Sequence, residues 1–216
     1  MDGSMNITPT QAYSPRAHAQ PPVPETLPTA VYEDFIASMP SLVGKVAVVT
    51  GANTGLGFWA ARSLALKGAH VYLACRDLEK AEAARKEMVD DLVKHGQRFA
   101  VVKVVHLDLT SFASVRACAE GLRAAERSVS LLLNNAGVMA VQPVQTTDGY
   151  DVQLQVNHLG HFLLTHELLP LLLAADGGAR VVQHSSLAHI PGYFDETRPN
   201  EGGARWLMPL PAEWRR

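Results

Sequence analysis

From Lys45 onward, short apolar runs alternate with longer stretches in which apolar residues recur every three or four positions. The runs are "VAVVT" (46–50), "HVYLAC" (70–75), "FAVVKVVHL" (99–107), "SLLL" (130–133) and "RVVQH" (180–184). They are nearly continuous in apolar character, as strands covered on both faces of a parallel sheet are. The stretches between them carry helical periodicity. In the second, Asp77 is placed to cap the N-terminus, Leu78, Ala81, Met88 and Leu92 share one face, and Gly96 can stop the helix. The fourth starts near Asp148 and carries an apolar face through "LLTHELLPLLLAA", with Pro170 expected to kink or divide it. Five strands joined by four helices predict an α/β fold with a doubly wound parallel sheet of the Rossmann type. No repeat of solenoid length is present.

Residues 1–40 break this pattern. "PTQAYSPRAHAQPPVPETLP" is rich in proline and small or polar residues and has no apolar period, so burial cannot offset its ordering entropy. The expectation is a flexible, dispensable tail over 1–40 and one dinucleotide-binding domain over 41–216. "MDGSMNITPT" lacks the basic start and apolar core of a signal peptide.

Composition narrows the picture only slightly. A 216-residue chain that is 47% hydrophobic and 19% charged can bury one sizeable core. A formal charge of −2 leaves no electrostatic footprint for nucleic acid or an anionic membrane surface. The two cysteines, Cys75 and Cys118, are too few for a disulfide framework, which favours a reducing compartment and hence the cytoplasm. The longest apolar run is about half the length that a membrane span requires.

The chemistry begins directly after the first strand. "TGANTGLG" (50–57) places glycines at 51, 55 and 57: one for the tight turn, one for close approach of the backbone to a pyrophosphate, one for packing helix on strand. The phosphates would sit on the helix N-terminus, where free N–H groups and the dipole favour an anion. The second strand ends "LACRD". An NAD site puts a carboxylate there; this chain has Cys75 followed by Arg76, which suits a 2′-phosphate, so NADP is favoured over NAD. Asp77 keeps NAD open, because a shift of a residue or two would bring it to the ribose. Asp108 ends the third strand at the carboxyl edge. "LLLNNAG" ends the fourth, where Asn134 and Asn135 offer amides and Ala136 and Gly137 permit close approach; a polar turn after a buried strand is the plainer alternative.

"TGANTGLG", "NNAG", "VNHLGHF" and "SSLAH", in this order, resemble the short-chain dehydrogenase/reductase family. With "LACRD" they resemble its branch of retinol-dehydrogenase-like and WW-domain-oxidoreductase-like enzymes, over about residues 42 to 190. The resemblance implies hydride transfer between NADP(H) and a small alcohol or carbonyl substrate, and it allows a homo-oligomer in the complete enzyme. It implies that Gly51, Asn53, Thr54, Gly55, Leu56 and Gly57 line the pyrophosphate, that Arg76 faces the 2′-phosphate, that Asp108 and Leu109 flank the adenine, and that Asn134, Asn135, Ala136 and Gly137 face the nicotinamide ribose. Ser186 would hold the substrate oxygen and Asn157 would support a water chain. Ser185 competes with Ser186, although continued strand alternation would turn it away. His158 and His161 lie one helical turn apart, but no carboxylate or cysteine joins them in a metal motif.

The family's Tyr-x-x-x-Lys acid/base motif is absent. Tyr193 follows Ser186 by seven residues and has Thr197 where the lysine belongs, and the last lysine of the chain is Lys103. The expectation is therefore an incomplete chain, truncated before that motif and lacking the last strands of the sheet, with "RVVQH" left as an edge. A non-catalytic dinucleotide-binding remnant, acting as a sensor or partner-binding protein, is the alternative to the oxidoreductase.

Overall fold

The computed structural model describes residues 29–97, 100–139, 141 and 144–186. Five parallel strands, β1 Val46–Thr50, β2 His70–Cys75, β3 Val102–His106, β4 Leu131–Asn134 and β5 Arg180–Gln183, form one sheet in the order β3-β2-β1-β4-β5. β1 pairs with both β2 and β4, in registers that set Val48 beside Tyr72 and beside Leu132. The strand order reverses across the β1/β4 seam, which in such sheets opens a crevice beyond the carboxyl ends.

Strand alternation sorts the core into two layers. Val48, Tyr72, Ala74 and Leu132 face helices α4 (Phe112–Ala125) and α6 (Gly160–Leu173), packing with Val115, Cys118, Leu122, Leu164 and Leu168. Ala47, Val49, Val71 and Leu73 face α2 (Gly55–Leu66) and α3 (Leu78–Lys94), packing with Ala61, Ala65, Met88 and Leu92. The 3.6-residue period of each helix delivers one apolar stripe to its layer.

Local signals in the sequence act as expected in α3. Asp77 Oδ1 accepts from Lys80 N at 3.1 Å, Ala81, Met88 and Leu92 are buried, and Gly96, at φ +83°, follows the last turn; Leu78 is instead exposed. Ser111 caps α4 in the same way.

Two expectations are corrected, on Pro170 and on the length of the third strand. Pro170 does not divide its helix: α6 runs through it to Leu173. The irregularity comes earlier, where α5 (Val152–Leu154), capped by Asp151, leads into a π-helical turn at Gln155–Leu159 before α6 resumes. In the stretch expected as a tail, residues Thr29–Ser38 form helix α1, assigned to a compact unit separate from residues 39–216, while 1–28 lie outside the described residues. The strand expected over 99–107 spans only 102–106, and residue 99 lies outside the described set.

Candidate functional site

Five polar groups meet beneath the crevice. Thr50, the last residue of β1, is fully buried. Its Oγ1 accepts from the backbone N–H groups of Asn135 and Ala136, each at 2.9 Å, which fills both lone pairs. Its hydrogen then goes to His161 Nε2 at 2.8 Å, the shorter of two options, the other being Leu133 O at 3.4 Å. The Asn135 side chain completes the seam by donating Nδ2 to Thr50 O at 2.8 Å.

This arrangement fixes the tautomer of His161. Its Nε2 is an acceptor, so Nδ1 carries the hydrogen and donates, at 3.4 Å, to the backbone carbonyl of Asn157 in the π turn. Burial pushes the imidazole down to about 4, assisted by His158 and opposed by the bond to Asn157. His161 is a neutral link between the end of β1 and the helix that carries Asn157, with both ring nitrogens taken up by those bonds.

Asn157 faces the other way. Its Oδ1 accepts from Val138 N and its Nδ2 donates to Val138 O, both at 2.8 Å, so the amide grips the backbone that continues from "NNAG". The resemblance implied a water-supporting role; here the side chain is committed to holding residues 136–138 against the helix.

Two cavities flank that held segment, and both are lined by Ala136, Gly137 and Val138. One, of about 150 Å³, adds Gly51, Cys75, Arg76, Asp108 and Leu109. The other, of about 490 Å³, adds Asn135, Asn157, His184, Ser185 and Ser186. Residues expected to meet the adenine half of a dinucleotide thus gather on one side, and those expected at the reacting end gather on the other. Asp108 is held by accepting from Thr110 N at 2.9 Å and Thr110 Oγ1 at 2.7 Å. Asn53 and Thr54 line a third space, of about 540 Å³, with Lys80 and Glu87.

The loop geometry fits a bound phosphate chain. Gly51 sits at φ +65°, and a Cβ there would lie 3.0 Å from Ala136. A Cβ on Gly57 would meet Gly51 O at 2.5 Å. Only bare backbone therefore lets β1, α2 and the β4 loop converge. Thr54, at the N-cap of α2, makes no side-chain cap, unlike Asp77 on α3 and Ser111 on α4, so the first-turn N–H groups of α2 have no capping side chain. Gly55 and Leu56 lie exposed on this turn.

Two expected positions shift. Asn134, expected at the cofactor, is only 2% exposed and donates Nδ2 to Thr165 Oγ1 at 3.0 Å; strand alternation turns it toward α6 and leaves its buried Oδ1 unpartnered. Asn135, expected beside it, does line the cavity. Ser185 is not turned away from Ser186, because β5 ends at Gln183 and the alternation stops there; both serines line the larger cavity. Tyr193 and Thr197 lie outside the described residues. Sequence reasoning passed over Thr50 and His184 altogether. A hydroxyl ending an otherwise apolar strand was the available signal for the first; a histidine at a carboxyl strand end was the signal for the second.

Comparison with known proteins gives a consistent picture. Residues 45–196 match the short chain dehydrogenase family. Bovine (Bos taurus) retinol dehydrogenase 12 is 52% identical over 148 residues, covering 68% of this chain and 45% of the relative. Human (Homo sapiens) retinol dehydrogenase 13 is 45% identical over 158 residues, 73% of this chain and 46% of the relative. The chain thus spans about half the length of these curated relatives. Among solved structures, a Mycobacterium paratuberculosis protein superposes with a TM-score of 0.65 at 42% identity, covering 79% of this chain and 57% of that one. A metagenomic short-chain oxidoreductase in complex with NADP superposes at 0.57 and 34% identity, covering 68% and 64%.

Proposed function

Because the chain belongs to the short-chain dehydrogenase family, we propose that it serves NADP(H)-dependent interconversion of an alcohol and a carbonyl, with retinoids as the first substrate class to try. The observation that carries this reading is the pair of cavities meeting at Ala136–Val138. An extended dinucleotide can lie across the glycine loop with its adenosine end by Arg76 and its reacting end by Ser186. The cofactor supplies hydride exchange; the chain supplies placement. The first turn of α2 takes the pyrophosphate, Asn135 and Asn157 hold the segment that faces the nicotinamide ribose, and the Ser186 hydroxyl holds the substrate oxygen.

Two features favour NADP over NAD. Arg76 lines the adenosine-side cavity. The Asp77 carboxylate is occupied, accepting from Lys80 N and pairing with Lys80 Nζ at 3.0 Å, which also holds its pKa below the ordinary value. A reducing, cytoplasmic setting suits the two free, buried cysteines. Among the described residues no helix is long and apolar enough to cross a membrane.

A second reading is a dinucleotide-binding protein without turnover; no Tyr-x-x-x-Lys occurs in these 216 residues, which span about half the length of the curated relatives. A positioned general acid commonly contributes about 10²–10⁴-fold. The deciding experiment follows NADPH absorbance with retinal and short aldehydes, for the chain and for Ser186→Ala. Turnover that the variant loses supports the oxidoreductase. Saturable NADPH binding without turnover supports the second reading for residues 1–216 alone, and no binding contradicts both.

A further inference from the structure

His184 extends from the carboxyl end of β5, where its backbone N–H donates to Asn134 O at 3.0 Å and so fixes its place beyond the last ladder residue. Its ring Nδ1 lies 3.0 Å from Asn135 Oδ1. The orientation of that amide is set independently, because Asn135 Nδ2 must donate to the carbonyl of Thr50. Asn135 Oδ1 is therefore an acceptor, and Nδ1 of His184 must carry the hydrogen. In the neutral ring, Nε2 is left as a lone pair. Protonation places a second hydrogen on Nε2 and keeps the Asn135 bond intact. The ring can gain a positive charge without moving.

Among the described residues, uncharged groups face it. Asn135 to Met139 come from the loop after β4, Gln153 and Asn157 come from the helical element, and Ser185 and Ser186 follow it in the chain beyond β5. Of the titratable groups on the facing helix, His161 is spent on Thr50 and Asn157, and His158 does not line the cavity. Among the described residues lining the 490 Å³ cavity, His184 carries the one imidazole, with no carboxylate, ammonium or guanidinium beside it.

We propose that His184 discriminates between the oxidised and reduced forms of the cofactor, admitting the positively charged oxidised nicotinamide ring when neutral and disfavouring it when protonated. The proposal rests on the dinucleotide reading above. Like charges in one solvent-open cavity oppose binding, whereas the uncharged reduced ring is indifferent to the imidazolium.

The test measures dissociation constants of NADP⁺, NADPH and 2′,5′-ADP for the full 216-residue chain from about pH 8 to about pH 5.5. The 2′-phosphate titrates in the same range, but both dinucleotides carry it, so it cancels in their ratio. The NADP⁺/NADPH ratio of dissociation constants should rise about three- to tenfold as pH falls. It should stay flat in His184→Gln, and it should still rise in His189→Gln. A flat ratio in the wild type, a rise that survives His184→Gln, or one that vanishes in His189→Gln overturns the proposal. Intact 2′,5′-ADP binding with a flat ratio sinks this inference alone; failure of all three ligands to bind removes the dinucleotide reading as well. Should the glutamine variant not fold, ¹⁵N imidazole spectra of the wild type decide. Neutral His184 should be Nδ1-protonated, and an Nε2-protonated ring contradicts the proposal.

Discussion

β1 and β5 are written in the same apolar alphabet and live in different surroundings. In β1, Val48 and Val49 are fully buried between two helical layers and two neighbouring strands. In β5, Val181 and Val182 are 41% and 48% exposed, and among the described residues only β4 pairs with the strand. The functional groups follow this division. The Thr50 hydroxyl, at the end of β1, bonds to three residues, Asn135, Ala136 and His161; Ser185 and Ser186, beyond the end of β5, stand exposed on a cavity wall. The half of the site that would hold the cofactor is locked by packing that the described residues complete among themselves. The half that would hold the substrate presents its serines on an exposed stretch beyond the strand end. Binding and turnover should therefore respond very differently to change.

The largest effect should come from the β1 side. Gly57→Val drives a branched side chain into Gly51 O and the Asn135 amide. It should cost about 3 kcal/mol or more of stability and abolish NADPH binding. Thermal unfolding and calorimetric titration read the two losses, and a variant that keeps both would show the loop to be looser than its geometry.

Next in size is the pH response of the buried hub. His161 has its folded pKa lowered to about 4 from an ordinary value of 6.5, so the folded chain refuses a proton that the unfolded chain accepts. The stability tied to neutral His161 is complete above about pH 6.5, is lost as pH falls toward about 4, and levels off below; the total is on the order of 3 kcal/mol. Denaturant unfolding at pH 7 and pH 4.5 should show a steep loss in the wild type and a shallower one in His161→Gln. Equal slopes would remove His161 from the account of the hub.

How much of this was legible beforehand depends on the kind of signal. The βαβ order, the glycine loop and the Asp77 cap could be read because local backbone chemistry dictates them. The division of labour between Asn134 and Asn135 could not, since it depends on where β4 stops and on which face α6 covers. The π turn carrying Asn157 left no trace either: "QVNHL" reads as ordinary helix, and the wide turn shows itself through the Gly160 N–H reaching Gln155 O. His161 was visible as a residue and misleading as a pattern, because its neighbour at helical spacing, His158, is exposed and makes none of the hub's hydrogen bonds described above.

The smallest effect belongs to the β5 surface. Val182→Ala should cost no more than about 1 kcal/mol, whereas Val49→Ala, in the closed half, should cost about 2 kcal/mol or more. Matched denaturation curves check the contrast, and equal costs would mean that the exposed face of β5 is covered in solution.

Cofactor choice tests the central claim most directly. Calorimetric titration of the 216-residue chain with NADPH and NADH, beside Arg76→Ala, isolates the phosphate contact. NADPH should bind at one site about ten- to a hundredfold more tightly than NADH, the equivalent of about 1.5–3 kcal/mol for a charge-assisted bond, and Arg76→Ala should erase that margin. Equal affinity for the two cofactors in the wild type, or a margin that survives Arg76→Ala, would contradict the account.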